Sequence, residues 1–405
     1  MTDQPIGKLV RVAMLSAAFT PAAPVSGADF LSGRTDQIMT CVTSIFQRGL
    51  HIVAYGERGV GKTSLANVLP EIIAAVELPG LAAVRVDCNS SDTFSSLWHK
   101  IFRELREDWS DEDGPIDPES VRFRLGNHEG IRLIVIDELD RIVDKEAFAL
   151  LADTLKTLSD HSVQVTLMLV GVANSLEQLL GEHQSIVRCV AQVDMPRMST
   201  PELEKILEKG YAHAGMTIKP EAKELVVGLA EGLPHFVHLL GLESGMFAAQ
   251  DDRTEVVATD VDRALKRITA THTVTSEFRR ATQSPQSGHL FEEVLLACSL
   301  VPKDSLGYFR AADIVSPLSQ ILGRPITIPN FARHLNELSG EERGAVLIKD
   351  GKLHNYRYRF RNPMLQPFAK MVALSTGMAS ADFVRSFAPV IAPQPTEINW
   401  LSDTQ

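Results

Sequence analysis

The sequence predicts an α/β core with a parallel sheet, then an all-helical module, then a small module of three helices and a hairpin. Three observations predict it. Apolar runs at 50–55, 131–136 and 164–170 and a strand-like run at 82–87 alternate with segments of helical spacing. That is the pattern of buried parallel strands joined by crossover helices. After about residue 195 the strand-like runs stop and helical spacing takes over. Near the C-terminus three helical segments lead into two short strand-like runs around Asp350-Gly351.

Composition agrees with an ordinary globular chain. Of 405 residues, 44% are apolar and 22% charged, which excludes a disordered or fibrous protein. The net charge of −11 excludes a surface coated everywhere with basic groups, though not a local basic patch. Cys41, Cys88, Cys189 and Cys298 lie far apart, so neither a zinc site built from close pairs nor a disulfide framework is expected. No apolar run approaches the roughly 18–20 residues of a membrane span.

Element by element, residues 1–28 read as a loosely attached arm of small residues and prolines. The core is expected at 29–195, with helices at 36–47, 62–76, 93–105 and 146–159, and an acidic loop at 107–119. The helical module is expected at 196–280, with helices at 201–214, 220–231, 234–249 and 258–271. A polar linker at 279–288 leads into a C-terminal module at 281–377. Its helices are expected at 289–301, 309–322 (interrupted near Pro317) and 329–338. That order, closed by the hairpin, is that of a winged helix. A poorly ordered tail is expected at 378–405.

The strongest chemical signal is Gly56-Glu57-Arg58-Gly59-Val60-Gly61-Lys62-Thr63, a complete G-x-x-x-x-G-K-[ST] motif. A strand precedes it and a helix follows, as a phosphate loop requires. Glycines let backbone N–H groups wrap an anion, and the helix N-terminus adds partial positive charge. Lys62 would reach the β- and γ-phosphates of ATP, and Thr63 would ligate Mg2+. The second signal is Leu133-Ile134-Val135-Ile136-Asp137-Glu138, four buried residues ending in two carboxylates, the Walker B pattern. Asp137 would hold Mg2+ through water, and Glu138 would polarise the attacking water. Asp140 and Asp144 read as a solvated helix face. Asn174 follows the 164–170 strand. It reads either as a polar residue near the γ-phosphate or as a routine turn residue.

This layout resembles AAA+ P-loop ATPases of the Orc1/Cdc6-like, replication-initiator type, over roughly residues 29–375. The resemblance implies that Phe30-Leu31-Ser32-Gly33-Arg34 closes over the adenine. It implies that Gly56, Gly59, Val60, Gly61, Lys62, Thr63 and Ser64 bind the phosphates, and that Asn174 is the first sensor. Arg188, in Ser185-Ile186-Val187-Arg188, takes the place of an arginine finger aimed at a neighbouring subunit's ATP, with Arg197 as the fallback. One departure stands out: Gly232-Leu233-Pro234-His235 carries His where such ATPases place a lid arginine. His is mostly neutral at pH 7 and a weaker γ-phosphate partner, which implies weak lid closure and slow hydrolysis. His238, one turn on, reads as lid packing.

In the C-terminal module, Phe331, Leu335 and Leu338 share one helix face. Asn330, Arg333, His334 and Asn336 are left for solvent or a ligand. Along the second hairpin strand Tyr356, Tyr358 and Phe360 alternate with Arg357, Arg359 and Arg361, which places the arginines on one face. Lys349 and Lys352 lie beside the turn. Between Arg324 and Lys370 there are nine Lys/Arg against four Asp/Glu. A basic island on an acidic chain is the footprint of phosphate-backbone binding. The other reading pairs these arginines with acids of the core.

Lys8 and Arg11 ahead of 12–19 loosely imitate a signal peptide, but the apolar core is short and Pro21 and Pro24 follow it. With an ATP site, the expectation is a cytoplasmic ATPase, binding ATP/ADP with Mg2+. It would contact duplex DNA as a switch or loader, and assemble with itself or a partner protein. The competing expectation is an ATP-gated signalling, defence or transposition-regulating scaffold whose winged helix docks protein.

Overall fold

The computed structural model describes residues 4–23, 33–74, 82–107, 109, 114–127, 132–173, 184–284, 288–304, 307–352 and 355–387. The chain forms two compact units. One joins the N-terminal segment, to Pro21, with the chain from Met198 onward; the other is the chain between Ala22 and Arg197. No helix among the described residues is long and apolar enough to cross a membrane.

The first element departs from expectation. Instead of a loose arm, helix α1 (Gln4–Ala18) opens the chain and buries Leu15, Ala18 and the following Phe19. These side chains lie in a groove made by glycines. A Cβ on Gly210 would come within 2.3 Å of the Phe19 ring, and one on Gly241 within 2.7 Å; one on Gly245 would meet Leu15 at 2.8 Å. The Tyr211 hydroxyl donates to the Gly241 carbonyl at 2.8 Å beside this ring, and Thr20 N–H donates to His238 Nδ1 at 3.3 Å.

The unit from Ala22 to Arg197 is the α/β core. Helix α2 (Thr35–Phe46) leads into β1 (His51–Gly56), α3 (Lys62–Ala74), β2 (Ala82–Asp87), α4 (Phe94–Glu104), α5 (Pro118–Gly126), β3 (Arg132–Asp137), α6 (Lys145–Asp160), β4 (Val165–Val172) and β5 (Val190–Asp194). The sheet order is β2-β3-β4-β1-β5, every pair parallel. The inner strands β1, β3 and β4 are buried almost throughout, which is why they read as continuous apolar runs.

Two elements here were not legible in the sequence. Helix α5 begins inside the stretch taken as an acidic loop: Asp117 caps it by accepting from Ser120 N–H at 2.7 Å, and Pro118 occupies the first turn. Strand β5 is a short, half-exposed edge, too polar to register as an apolar run. Beneath the sheet, His51 is fully buried. Its Nδ1 accepts from Leu167 N–H at 3.1 Å, so the Nε2 proton goes to the Leu155 carbonyl at 3.1 Å.

The other unit continues with α7 (Thr200–His213), β6 (Thr217–Ile218), α8 (Pro220–Ala230), α9 (Pro234–Gln250), β7 (Glu255–Val256) and α10 (Ala258–Thr271). Helix α11 (Val274–Thr282) fills part of the expected linker. Then come α12 (Phe291–Leu300), β8 (Phe309–Arg310), α13 (Ala311–Leu322), α14 (Ile328–Leu338), β9 (Leu347–Lys352), β10 (Asn355–Phe360), α15 (Leu365–Thr376) and α16 (Ala381–Ser386). Phe309 and Arg310 are a strand rather than a helix start, and α13 runs unbroken through Pro317. The order of α12 to β10 is the one expected of a winged helix, with a three-stranded sheet β8-β10-β9.

Residues 380–387 do not form a loose tail. Val384, Phe383 and Phe387 of the α16 segment pack with Leu296, Leu300 and Ala373. Lys370 of α15 and Glu231, which follows α8, form a buried ion pair. The helical module and the C-terminal module are therefore joined through a desolvated pair, and cutting one partner alone would leave an uncompensated buried charge.

Two outcomes follow from these cores. Burial lowers the pKa of both His51 and His238 from 6.5 to about 4. The unfolded chain binds their protons from about pH 6.5 downward. Stability should therefore be full above about pH 6.5 and fall as the pH drops towards 4. The loss should be on the order of 1–3 kcal/mol per histidine, read by urea denaturation across that range. Gly241→Val should push Phe19 out of its groove and cost about 1–3 kcal/mol by overpacking. The check is the same denaturation measurement, with protease cleavage near α1 as a second readout.

Candidate functional site

Between β1 and α3 the backbone closes a tight loop. Gly59 and Gly61 have φ of 88° and 98°, a region that L side chains occupy only under strain. Gly56 has a different constraint: a Cβ there would stand 2.4 Å from the Met195 carbonyl oxygen, because the chain leaving β5 passes against the loop. Val60 is fully buried and anchors the loop; Thr63 and Ser64 are half-buried in the first turn of α3. The side chain of Lys62 is buried and folds back over the loop. Its ammonium donates to the carbonyls of Gly56 at 2.9 Å and Glu57 at 2.8 Å. Burial lowers its pKa from 10.5 to about 8, opposed by the carboxylates of Asp140, Asp137 and Glu57.

Asp137, at the carboxyl end of β3, is brought to this loop. Thr63 lies close enough to its carboxylate to pull its pKa down. Its Oδ1 accepts from Glu138 N–H at 2.7 Å, and its Oδ2 meets Arg85 at 3.0 Å. Burial raises its pKa against the pull of those partners. Arg85 was not singled out from the sequence. It stands on β2, also contacts Asp87 at 2.6 Å and Asn67 of α3, and its one signal was a charge inside an otherwise apolar strand.

Glu138 takes a left-handed backbone with φ 56°, a conformation that costs a non-glycine residue free energy. It is half-exposed and pairs with Arg141 at 2.5 Å. Asp140 and Asp144 are committed to the backbone. Asp140 accepts from Val172 N–H at 2.7 Å, and Asp144 caps α6 through Glu146 N–H at 3.0 Å. Asn174 lies outside the described residues, as do Phe30, Leu31 and Ser32.

Arg34 is buried in a left-handed conformation just before α2. It donates to the carbonyls of Val60 at 3.0 Å and Pro196 at 2.5 Å, so it braces the phosphate loop. Arg197 donates from Nε to Glu57 Oε2 at 2.7 Å. Arg188 sits in the short turn Gln184–Cys189 ahead of β5. It is 67% exposed and pairs with Asp160, an interaction worth little in water.

The donors suit the group the sequence implies. Thr63 and Asp137 are hard oxygen ligands side by side, and Mg2+ characteristically takes one or two carboxylates with the rest of its shell from phosphate and water.

In the unit that begins at Met198, His235 stands in the first turn of α9. Its Nε2 is 3.4 Å from His272 Nε2, and burial keeps the His272 pKa below its ordinary value. His238 is buried in packing against the α1 segment.

The C-terminal module separates a core face from an open face. Phe331, Leu335 and Leu338 are buried on α14, while Asn330, Arg333 and Asn336 are exposed. On β10, Tyr358 and Phe360 turn inward and Arg357 and Arg359 outward, with Arg361 exposed just beyond the strand. Strand β9 runs on through Asp350 and Gly351 to Lys352, so these residues belong to the strand and not to the turn. Most of the basic groups have local partners. Arg357 pairs with Asp350 at 2.7 Å and Arg333 with Glu337 at 2.5 Å. Arg361 lies 3.7 Å from Glu341. Lys349 donates to Asn336 Oδ1 at 2.7 Å and lies over the Tyr356 ring. Arg357 and Arg359 both lie over Tyr308.

Comparison with known proteins agrees with this geometry. Residues 46–180 match the family model described as an AAA domain. Proteasome-activating nucleotidase 2 of Halobacterium salinarum is 23% identical over 237 residues, 54% of this chain and 50% of that protein; the match spans about half the length of that relative. The Aeropyrum pernix ORC2 protein, solved in ADPNP-ADP complexes, shares 15% identity at a TM-score of 0.52, over 92% of this chain and 98% of that one. Cdc6p of Pyrobaculum aerophilum shares 13% at 0.51, over 92% and 99%. The Aeropyrum pernix ORC1 protein, solved in complex with DNA, shares 15% at 0.50, over 89% and 96%. Residues 46–180 are thus similar to an AAA domain, and the chain has the fold of these Orc1- and Cdc6-type proteins.

Proposed function

We propose that the chain is a Mg2+-dependent ATPase that acts as a nucleotide-driven, DNA-binding switch or loader, alone as a homo-oligomer or with a partner protein. The observation that carries this reading is Lys62, buried over its own glycine loop, with Thr63 and the strand-end carboxylate of Asp137 beside it. In this reading the segments 56–64 and 133–138 are the Walker A and B motifs. The backbone of Gly56, Gly59, Val60, Gly61, Thr63 and Ser64 cradles the phosphates, and Lys62 places its charge on the β- and γ-phosphates. Thr63, and Asp137 through water, would hold Mg2+, which would neutralise phosphate charge. Glu138 orients the attacking water and takes its proton, after leaving Arg141. Asn174 contacts the γ-phosphate, and Arg188 acts across a subunit boundary after leaving Asp160. Arg34 contributes by holding the loop, and His235 is a weak lid contact, which makes turnover slow.

The C-terminal module is read as a winged helix on duplex DNA. The support is its excess of basic residues and the placement of Arg357, Arg359 and Lys352 on the hairpin face opposite Tyr358 and Phe360, with Arg361 exposed just beyond the strand. Lys349, on the Tyr358 face, reaches Asn336 on the adjacent helix, which also carries Asn330 and Arg333. The ion pairs within the module do not oppose this, because exposed pairs are worth about 0–1 kcal/mol and yield to phosphate.

Glu138→Gln should bind ATP as wild type does and lose about a hundredfold or more in turnover, measured by phosphate release. Undiminished turnover would remove Glu138 from this role. A wild-type protein that binds ATP without turnover, and binds no DNA, would favour the signalling, defence or transposition-regulating scaffold.

Duplex DNA binding should weaken with salt at a log–log slope near −3 to −4, each neutralised phosphate contributing about −0.9. Changing Arg357, Arg359 and Arg361 together to Ala should flatten that slope by about two to three units on every sequence. Any sequence preference should follow Asn330, Arg333 and Asn336. Fluorescence anisotropy at several salt concentrations, with ATP and with ADP, reads all of these. Absence of binding at low salt in both nucleotide states would assign the arginines to a protein interface.

A further inference from the structure

The nucleotide reading above leaves Arg197 without a task beyond that of a fallback finger, and the geometry gives it one. Resting on that reading, we propose that Arg197 contacts the phosphates of its own nucleotide site, in cis, as a selectivity residue for ATP over ADP.

Three observations converge on it. First, Arg197 is paired with the phosphate loop of its own chain, Nε to Glu57 Oε2 at 2.7 Å. The same Glu57 offers its carbonyl to the Lys62 ammonium at 2.8 Å. One loop residue therefore holds both cations, so a phosphate reached by Lys62 lies in the neighbourhood of Arg197.

Second, the backbone that carries Arg197 is fixed against that loop. Met195 N–H donates to the Tyr55 carbonyl at 2.8 Å, the Met195 carbonyl leaves no room for a side chain at Gly56, and Arg34 ties the Pro196 carbonyl to that of Val60. The guanidinium is thus presented by a rigid element, as a phosphate contact requires.

Third, the charge pattern needs it. A carboxylate at position 57 beside an incoming triphosphate is a like-charge contact. The guanidinium screens Glu57 before nucleotide arrives and, with five donors in a planar fork, bonds phosphate oxygens afterwards. Its preference falls on the γ-phosphate, because that group carries the extra charge distinguishing ATP from ADP. Arg188, in contrast, is exposed and pairs with Asp160, away from the loop residues.

The test is nucleotide affinity with Mg2+, measured with fluorescent ATP and ADP at protein concentrations where the chain is monomeric. Arg197→Ala should weaken ATP by about tenfold, as expected for loss of a charge-assisted hydrogen bond, and leave ADP within twofold. Arg197→Lys should fall between, and Glu57→Gln should tighten ATP by releasing the guanidinium; these two variants serve if Arg197→Ala does not fold. Mixing Arg197→Ala with Lys62→Ala, which keeps an intact Arg197, should restore no ATP affinity, even when the mixture is concentrated beyond the monomeric range.

Equal losses of ATP and ADP would make Arg197 a brace of the loop. Unchanged affinities would make it a surface charge, and rescue on mixing would make it a finger in trans. Each result overturns the inference while leaving the nucleotide reading intact. A wild type that binds neither nucleotide overturns that reading itself, and this inference with it.

Discussion

Arg34 is the buried charge against which the phosphate loop is built. A guanidinium taken out of water must find acceptors, and here it finds the carbonyls of Val60 and Pro196. Those two carbonyls belong to the loop after β1 and to the chain leaving β5. The same contact therefore sets the loop's shape and the path of the segment that carries Arg197. Gly56 follows from that path: with Met195 pressed against position 56, no side chain fits there. The parallel order β3-β4-β1 then places Gly56 and Asp137 at the same carboxyl edge, where open α/β sheets bind ligands. The site is an edge property of the sheet, trimmed by one buried arginine.

A second buried charge organises the other unit. Glu231 and Lys370 meet between the end of α8 and α15, and Thr269 and Ser375 hydrogen-bond nearby at 3.2 Å. Glu231 directly precedes Gly232 and the turn that leads to His235. The helical module and the C-terminal module consequently belong to one compact unit. The glycine groove that seats Phe19 adds the N-terminal helix to the same unit.

The sequence made the core strands and the phosphate loop legible because both depend on local rules. Buried parallel strands are apolar without interruption, and a loop that wraps an anion needs glycine at fixed spacing. That the glycine loop and the strand-end carboxylate of Asp137 share one sheet edge was also legible, since parallel strands present their carboxyl ends together. The remaining features depend on distant neighbours. Leu15 and Phe19 look like an isolated apolar stretch until Gly210, Gly241 and Gly245 are placed opposite them. Strand β5 has no apolar run of its own, and its pairing with β1 is what defines it. Arg85 and Arg197 are ordinary surface-type residues in one dimension, and only the fold brings them to Asp137 and Glu57. The alternation of Arg357 and Arg359 with buried Tyr358 and Phe360 was legible, whereas their pairing with Asp350 and stacking on Tyr308 was not.

The central claim is that the braced loop and Asp137 form one binding site for Mg2+-ATP. Isothermal titration calorimetry of ATP into the full chain, with and without Mg2+, tests it most directly. The account predicts one nucleotide bound per chain, tighter with Mg2+ than without, and loss of that binding in Lys62→Ala with the fold retained by circular dichroism. Failure of the wild-type chain to bind ATP at millimolar concentration, or undiminished binding by Lys62→Ala, would contradict it.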